Sequence, residues 1–152
     1  SNEMGDFNPQ YGYTDRGWLI GTAPNKIEPG KRMLSSMTPT IVAKEGKPYL
    51  IIGSPGGRTI ISTVFQTVLA VLAYDMPLHE AIEAVKIHHQ WFPDELIYEK
   101  NKLSPDLVKA LEIMGHQPVS RDQLGRLMGI LVDQVRIGAV DSSSPDGAAI
   151  GY

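Results

Sequence analysis

The 152-residue chain contains no cysteine. That excludes a disulfide framework and thiolate metal ligation, and it suits oxidising and reducing compartments equally. It also has no basic stripe and no block of like charges: 14 lysines and arginines stand against 17 acids, spread along the chain, for a formal net charge of -3. Binding to nucleic acid or to a membrane surface therefore has no electrostatic support, while a small polar substrate stays open. No apolar run reaches membrane-spanning length, so no membrane segment is expected. The opening SNEMGDFNPQ is polar and lacks the basic-then-apolar order of a secretory signal. Internal repeats and low-complexity tracts are absent too, and the length suits a single domain over residues 1–152.

Turn-forming residues are plentiful instead, with 15 glycines and 11 prolines. Many fall in residues 1–36, a loop-rich segment with no sustained helical or strand period, in which Trp18, Leu19 and Ile20 argue for order. A long ordered loop in a compact domain is usually functional or covered by something else. From Met37 the pattern becomes strand, a turn at Glu45 to Lys47, and strand, with Pro39 and Pro48 at strand starts or edges. RTIISTVFQTVLAVLAYD is too long for one strand and reads as a buried helix. PLHEAIEAVK has helical spacing at Leu78, Ile82 and Val85 after Pro77, and SPDLVKALEIMGH is a helix capped by Ser104 and stopped at Gly115. LMGILVDQVRIGAVD adds two strands that could pair with the hairpin. The order predicts an α+β fold, an antiparallel sheet with helices layered on it.

Three stretches carry possible chemistry. GSPGG, residues 53–57, joins a strand to a helix; it is either an ordinary turn or a place where glycine amides and a helix N-terminus face an anion, a phosphate or a developing oxyanion. A phosphate reading lacks the Gly-Lys-Ser/Thr continuation and the third glycine of a dinucleotide fingerprint. Ser35 and Ser36 put adjacent hydroxyls before a strand, able to donate to a carboxylate or merely to solvent. Glu3 and Asp6 are spaced to share a cation such as an ammonium, or to form a solvated acidic turn. Together the three describe a site for an amino acid held by its α-groups and reacting at a side-chain carbonyl. His88-His89 lacks zinc-helix spacing, so no metal is expected; Asp94 and Glu95 read as surface residues, and Met33, Met37, Met114 and Met128 as core gap-fillers.

NEMGDF, PGKRMLSSMTPTIV, GSPGGRTII, HHQWFPDEL and GAAIGY, in this order, resemble the C-terminal part of the small subunit of gamma-glutamyltranspeptidases, the bacterial type in particular. The resemblance runs essentially end to end. It implies part of an N-terminal-nucleophile hydrolase, an α-β-β-α sandwich made as a precursor that cuts itself into large and small subunits. The partner would be that large subunit, the substrate a γ-glutamyl amide such as glutathione, with no cofactor, and the location periplasmic or secreted. By the same resemblance Gly56 and Gly57 supply the oxyanion hole, Glu3 and Asp6 hold the substrate's α-ammonium, and Ser35 and Ser36 bind its α-carboxylate beside an arginine of the large subunit. The nucleophile would be the N-terminal threonine of the small subunit, expected upstream of this chain rather than at Ser1.

Two departures stand out. The threonine is absent from the sequence, and Asp141-Ser142-Ser143 occupies the place where many members read Asp-Pro-Arg. Two alternatives accompany the main reading: a related acylase acting on glutaryl-cephalosporins or poly-γ-glutamate, and a non-catalytic structural fragment. Retention of Glu3 and Asp6 favours a glutamyl over a glutaryl substrate, because only the former carries an α-ammonium.

Overall fold

A computed structural model describes residues 4–8, 10–13 and 21–151. The hairpin is β1 (Thr40–Lys44) and β2 (Lys47–Gly53), joined through Glu45 and Gly46 at φ 53° and 76°. Positive φ at both central residues twists the turn in the sense that right-handed strands require. The glycine stretch leads through a 3-10 turn, Gly57–Thr59, into α1 (Ile60–Ala73), followed by α2 (Leu78–Glu83). Then come β3 (Ile87–His88), β4 (Leu96–Glu99), α3 (Pro105–Ile113), β5 (Pro118–Arg121), β6 (Met128–Val132) and β7 (Arg136–Val140).

The main sheet has four strands in the order β1-β2-β6-β7, all antiparallel. Helices α1 and α2 cover one of its faces, where Leu50, Ile52, Val64, Leu78, Ile82 and Leu127 form the core. A Cβ at Gly129 would stand 3.3 Å from Leu78, so glycine lets α2 rest close on β6. Pro48 lies outside the part of β2 that pairs with β6, and Pro39 precedes β1. Ser104 caps α3 by accepting a hydrogen bond from the Leu107 amide at 3.2 Å, and Gly115 follows the helix at φ 92°.

Among the described residues most of the opposite face is uncovered; the stretch from Gly147 to Ala149 lies against it only at Val140 and Gly138 of β7. Ile41, Ile51 and Ile130 are in register across three strands on that face, and all are exposed, as is Met128. Apolar side chains on both faces of a sheet belong to a sheet meant to be covered twice. The outer side of α1 repeats the pattern with Ile61, Phe65 and Leu72 exposed, while Thr63, Val64 and Thr67 are buried.

Several sequence expectations need correction. Helix α1 is buried on one side only, since a helix on a single sheet packs one stripe. Met37, Met114 and Met128 are exposed and Met33 is half-buried, so none fills this core. Helix α2 ends before Val85: Ala84 is extended at ψ 147°, and Lys86 turns its ammonium back onto the α2 carbonyls. The sequence reading also missed a second, three-stranded sheet, β3-β4-β5, in which β4 and β5 run parallel and are connected through α3. Its strands are too short to display a two-residue alternation.

Candidate functional site

Asp6, Ser35 and Ser36, far apart in sequence, line one cavity of about 570 Å³. Asparagines bring them there. Asn25 donates through Nδ2 to the Asp6 carbonyl at 2.6 Å and accepts through Oδ1 from the Leu34 amide at 3.0 Å, tying the acid's segment to the serine loop. Asn8 donates from its backbone amide to the Asn25 carbonyl at 2.9 Å and through its side chain to Thr22. Two short 3-10 turns, Met4–Asp6 and Ala23–Asn25, are thus tied together by side-chain amides that satisfy backbone groups. Neither asparagine is singled out by the sequence; each adjoins a proline, which marks a turn but not which distant groups the side chain meets.

Oδ2 of Asp6 is buried and, among the described residues, has no hydrogen-bond partner. A buried carboxylate oxygen is rarely left so, because losing water without a replacement donor is costly. The Ser35 hydroxyl accepts from the Met37 amide at 3.3 Å, and the Ser36 carbonyl accepts from the Thr38 hydroxyl at 2.9 Å. Those bonds shape the turn and leave both hydroxyl protons available to a ligand.

The start of α1 also contributes to the lining, with Arg58 just before it and Ile61, Ser62 and Phe65 within it. Gly56 and Gly57 precede it directly but are not lining residues of the cavity. Both are exposed, and among the described residues neither amide donates a hydrogen bond. Gly56 has φ 139°, and a Cβ there would lie 2.7 Å from the Thr59 hydroxyl oxygen and 3.3 Å from Gly125 Cα. Gly57, at φ 57°, has open space around it. The Gly56 carbonyl accepts from the Thr59 amide at 3.2 Å and its hydroxyl at 2.9 Å, which turns the glycine carbonyl toward the helix. Glu3 and Ser1 lie outside the described residues.

His88, His89 and Gln90 complete the lining. The amide nitrogen of Gln90 donates to the Phe92 carbonyl at 2.9 Å, which turns its oxygen to His88 Nε2 at 3.0 Å. On its other side His88 Nδ1 is 2.7 Å from the Ser62 hydroxyl, which also lies 3.1 Å from the Thr59 carbonyl. His89 turns away to Asp94 at 2.9 Å. Among the described residues no three His, Asp or Glu side chains gather as metal ligands would. Nearby, the Asp141-Ser142-Ser143 turn is anchored on α2: the Ser142 amide and hydroxyl donate to Glu83 at 2.6 and 2.9 Å. A proline at 142 has no amide hydrogen to make the first bond.

Comparison with known proteins gives a consistent result. The family model described as gamma-glutamyltranspeptidase matches residues 1–152. The glutathione hydrolase proenzyme of Escherichia coli is 43% identical over all of this chain and 26% of its own length. That of Pseudomonas aeruginosa is 35% identical over 99% of the chain and 27% of its own length. A mutant Helicobacter pylori gamma-glutamyltranspeptidase superposes with a TM-score of 0.85 at 42% identity, over 93% of this chain and 78% of that one. The chain thus spans about a quarter of the length of the curated relatives it matches, and its fold is part of an N-terminal-nucleophile hydrolase sandwich.

Proposed function

The chain belongs to the gamma-glutamyltranspeptidase family, and from that premise we propose that it forms the donor-binding side of a γ-glutamyl transferase and glutathione hydrolase. The observation that carries this reading is the shared cavity of Asp6, Ser35 and Ser36, with a buried Asp6 oxygen that lacks a donor among the described residues. A γ-glutamyl group is an α-amino acid acylated through its side chain. Its ammonium supplies the hydrogen-bond donor that Asp6 lacks, assisted by Glu3, and its α-carboxylate accepts from the two serine hydroxyls. The scissile γ-carbonyl then points toward Gly56 and Gly57, whose amides have no other described partner and lie where a helix begins.

Chemistry follows from what must lie opposite those amides. The resemblance calls for an N-terminal threonine from outside this chain: its hydroxyl attacks the γ-carbonyl, its own amine takes the proton, and the amine leaving group departs protonated. Water or an acceptor amine then resolves the acyl-enzyme. The large subunit of the same precursor is the proposed partner, packing on the largely uncovered sheet face, and the proposed site of action is periplasmic or secreted. The family and the pair of acid and hydroxyl contacts favour this reading over a glutaryl acylase or a non-catalytic fragment.

The processed full-length protein, given γ-glutamyl-4-nitroanilide and the glutaryl anilide that lacks only the ammonium, distinguishes these alternatives. Wild type is expected to turn over the glutamyl donor far better, and Asp6→Asn to raise KM for it by roughly 10- to 100-fold with a smaller change in kcat. Equal turnover of the two anilides by wild type would sink the proposal.

A further inference from the structure

Arg58 is the side chain in the cavity that neither the serines nor the acid explain. It is half-buried in the 3-10 turn that runs from Gly57 into α1, and it is one of the residues that line the cavity. Among the described residues it makes no hydrogen bond and no ion pair. Apart from the histidines, the charged residues of the described lining are Asp6 and Arg58. An arginine held partly out of water with five donors unused is arranged for a planar anion, and carboxylate is the one it matches in a two-point fashion.

Position decides which carboxylate. On the functional reading above, on which this inference rests, the glutamyl α-groups are taken by Asp6, Ser35 and Ser36. Arg58 follows directly after the glycines assigned to the scissile carbonyl. The group nearest to it is therefore whatever is attached to that carbonyl through the amide nitrogen. The cavity, at about 570 Å³, is within the size of sites that enclose drug-sized ligands and has room for more than a glutamyl group. Ile61 and Phe65 beside Arg58 offer apolar surface to the body of such a group.

We propose that Arg58 is a specificity-determining residue that binds a carboxylate on the amine side of the scissile amide, selecting amino acids and peptides over uncharged amines as leaving groups and acceptors. The chemical class is an α-amino acid or short peptide with a free C-terminal carboxylate. No new covalent step is involved: the guanidinium binds and orients.

A matched pair of donors tests it in the processed full-length protein: γ-glutamyl-4-nitroanilide and its 3-carboxy derivative. In Arg58→Gln the ratio of kcat/KM for the carboxylated over the plain donor is expected to fall at least tenfold from the wild-type ratio, with Arg58→Lys retaining part of the preference. Both donors report on the same folded population, so a stability loss cancels from the ratio. A similar fractional loss on both donors would place the guanidinium at the glutamyl end or the carbonyl and overturn the proposal, as would an unchanged ratio. If wild type turns over neither donor, the γ-glutamyl reading itself fails and takes this inference with it.

Discussion

The two glycines ahead of α1 look alike in sequence and differ in what they demand. Gly56 combines φ 139°, a region closed to side chains, with a 2.7 Å approach by any Cβ to Thr59. Gly57 sits at φ 57° in open space, so alanine there meets only the left-handed penalty of about 1–2 kcal/mol. Gly56→Ala should therefore shift the backbone and misdirect both amides, lowering kcat by about a hundredfold or more if they serve a developing oxyanion. Gly57→Ala should cost considerably less. Steady-state kinetics of the two variants, with melting temperatures as a control for folding, checks this order, and equal kcat losses would contradict it. At this scale the sequence pointed to Asp6 and the two serines, which line one cavity, while the glycine pair lies outside that lining and Glu3 outside the described residues. The sequence was opaque where a residue acts through a distant partner. Nothing around Asn25 reveals that its amide joins the segments of Asp6 and Leu34, because that contact exists only after the loop has closed. Arg58 was likewise passed over, since an arginine after a turn is ordinarily a solvated surface group.

Among the elements, the hairpin, α1, α3 and the β6-β7 pair were readable because each has a strong period and a chemical boundary. Glu45-Gly46, Ser104 and Gly115 mark their ends through backbone angles and capping bonds. The second sheet was not readable, since β3 and its neighbours are defined by pairing across the fold. The end of α2 depends on the same kind of distant contact. Lys86, only 2% exposed, donates to the carbonyls of Ala81 at 2.9 Å, Ile82 at 3.1 Å and Ala84 at 2.5 Å, closing the helix with a cation where its dipole is negative. Burial pulls the Lys86 pKa down from 10.5 to about 8, opposed by the Glu99 carboxylate and reinforced by Lys102. The lowered value means that the unfolded chain binds the extra proton between about pH 8 and 10.5. Stability contributed by this group therefore rises with pH across that window, and the cost of burying the charge is fully present below pH 8. The magnitude is at most about 3 kcal/mol. Denaturant unfolding of wild type and Lys86→Met from pH 7 to 10.5 should show the wild-type advantage growing as pH rises; a difference that shrinks would contradict the assignment.

For the whole molecule, the sheet is covered by helices on one face and, among the described residues, largely uncovered on the other outside the β7 edge. Ile41, Ile51 and Ile130 form a cross-strand apolar row on the largely uncovered face, with exposures of 67%, 36% and 43%. Such a row has no role in a sheet that meets water, where this face would alternate to polar residues. On the function proposed above, this face packs against a second sheet of the N-terminal-nucleophile sandwich. The α-β half was legible in the sequence; the other half was implied only through resemblance, since a strand covered on both faces and a strand in a poorly packed sheet read alike in a short apolar run. Ile51, at the centre of the row, is the discriminating position. Ile51→Asp would place a carboxylate in the dry interior between two sheets, where an unpaired charge costs several kcal/mol. Ile113→Asp, at a 78% exposed site on α3, is the control. In the full-length protein Ile51→Asp should reduce recovery of the assembled, self-cleaved pair at least tenfold on size-exclusion chromatography, while Ile113→Asp stays within about twofold. Normal assembly of Ile51→Asp would mean that this row meets solvent in the assembled protein, and would overturn the proposed packing of a second sheet on it.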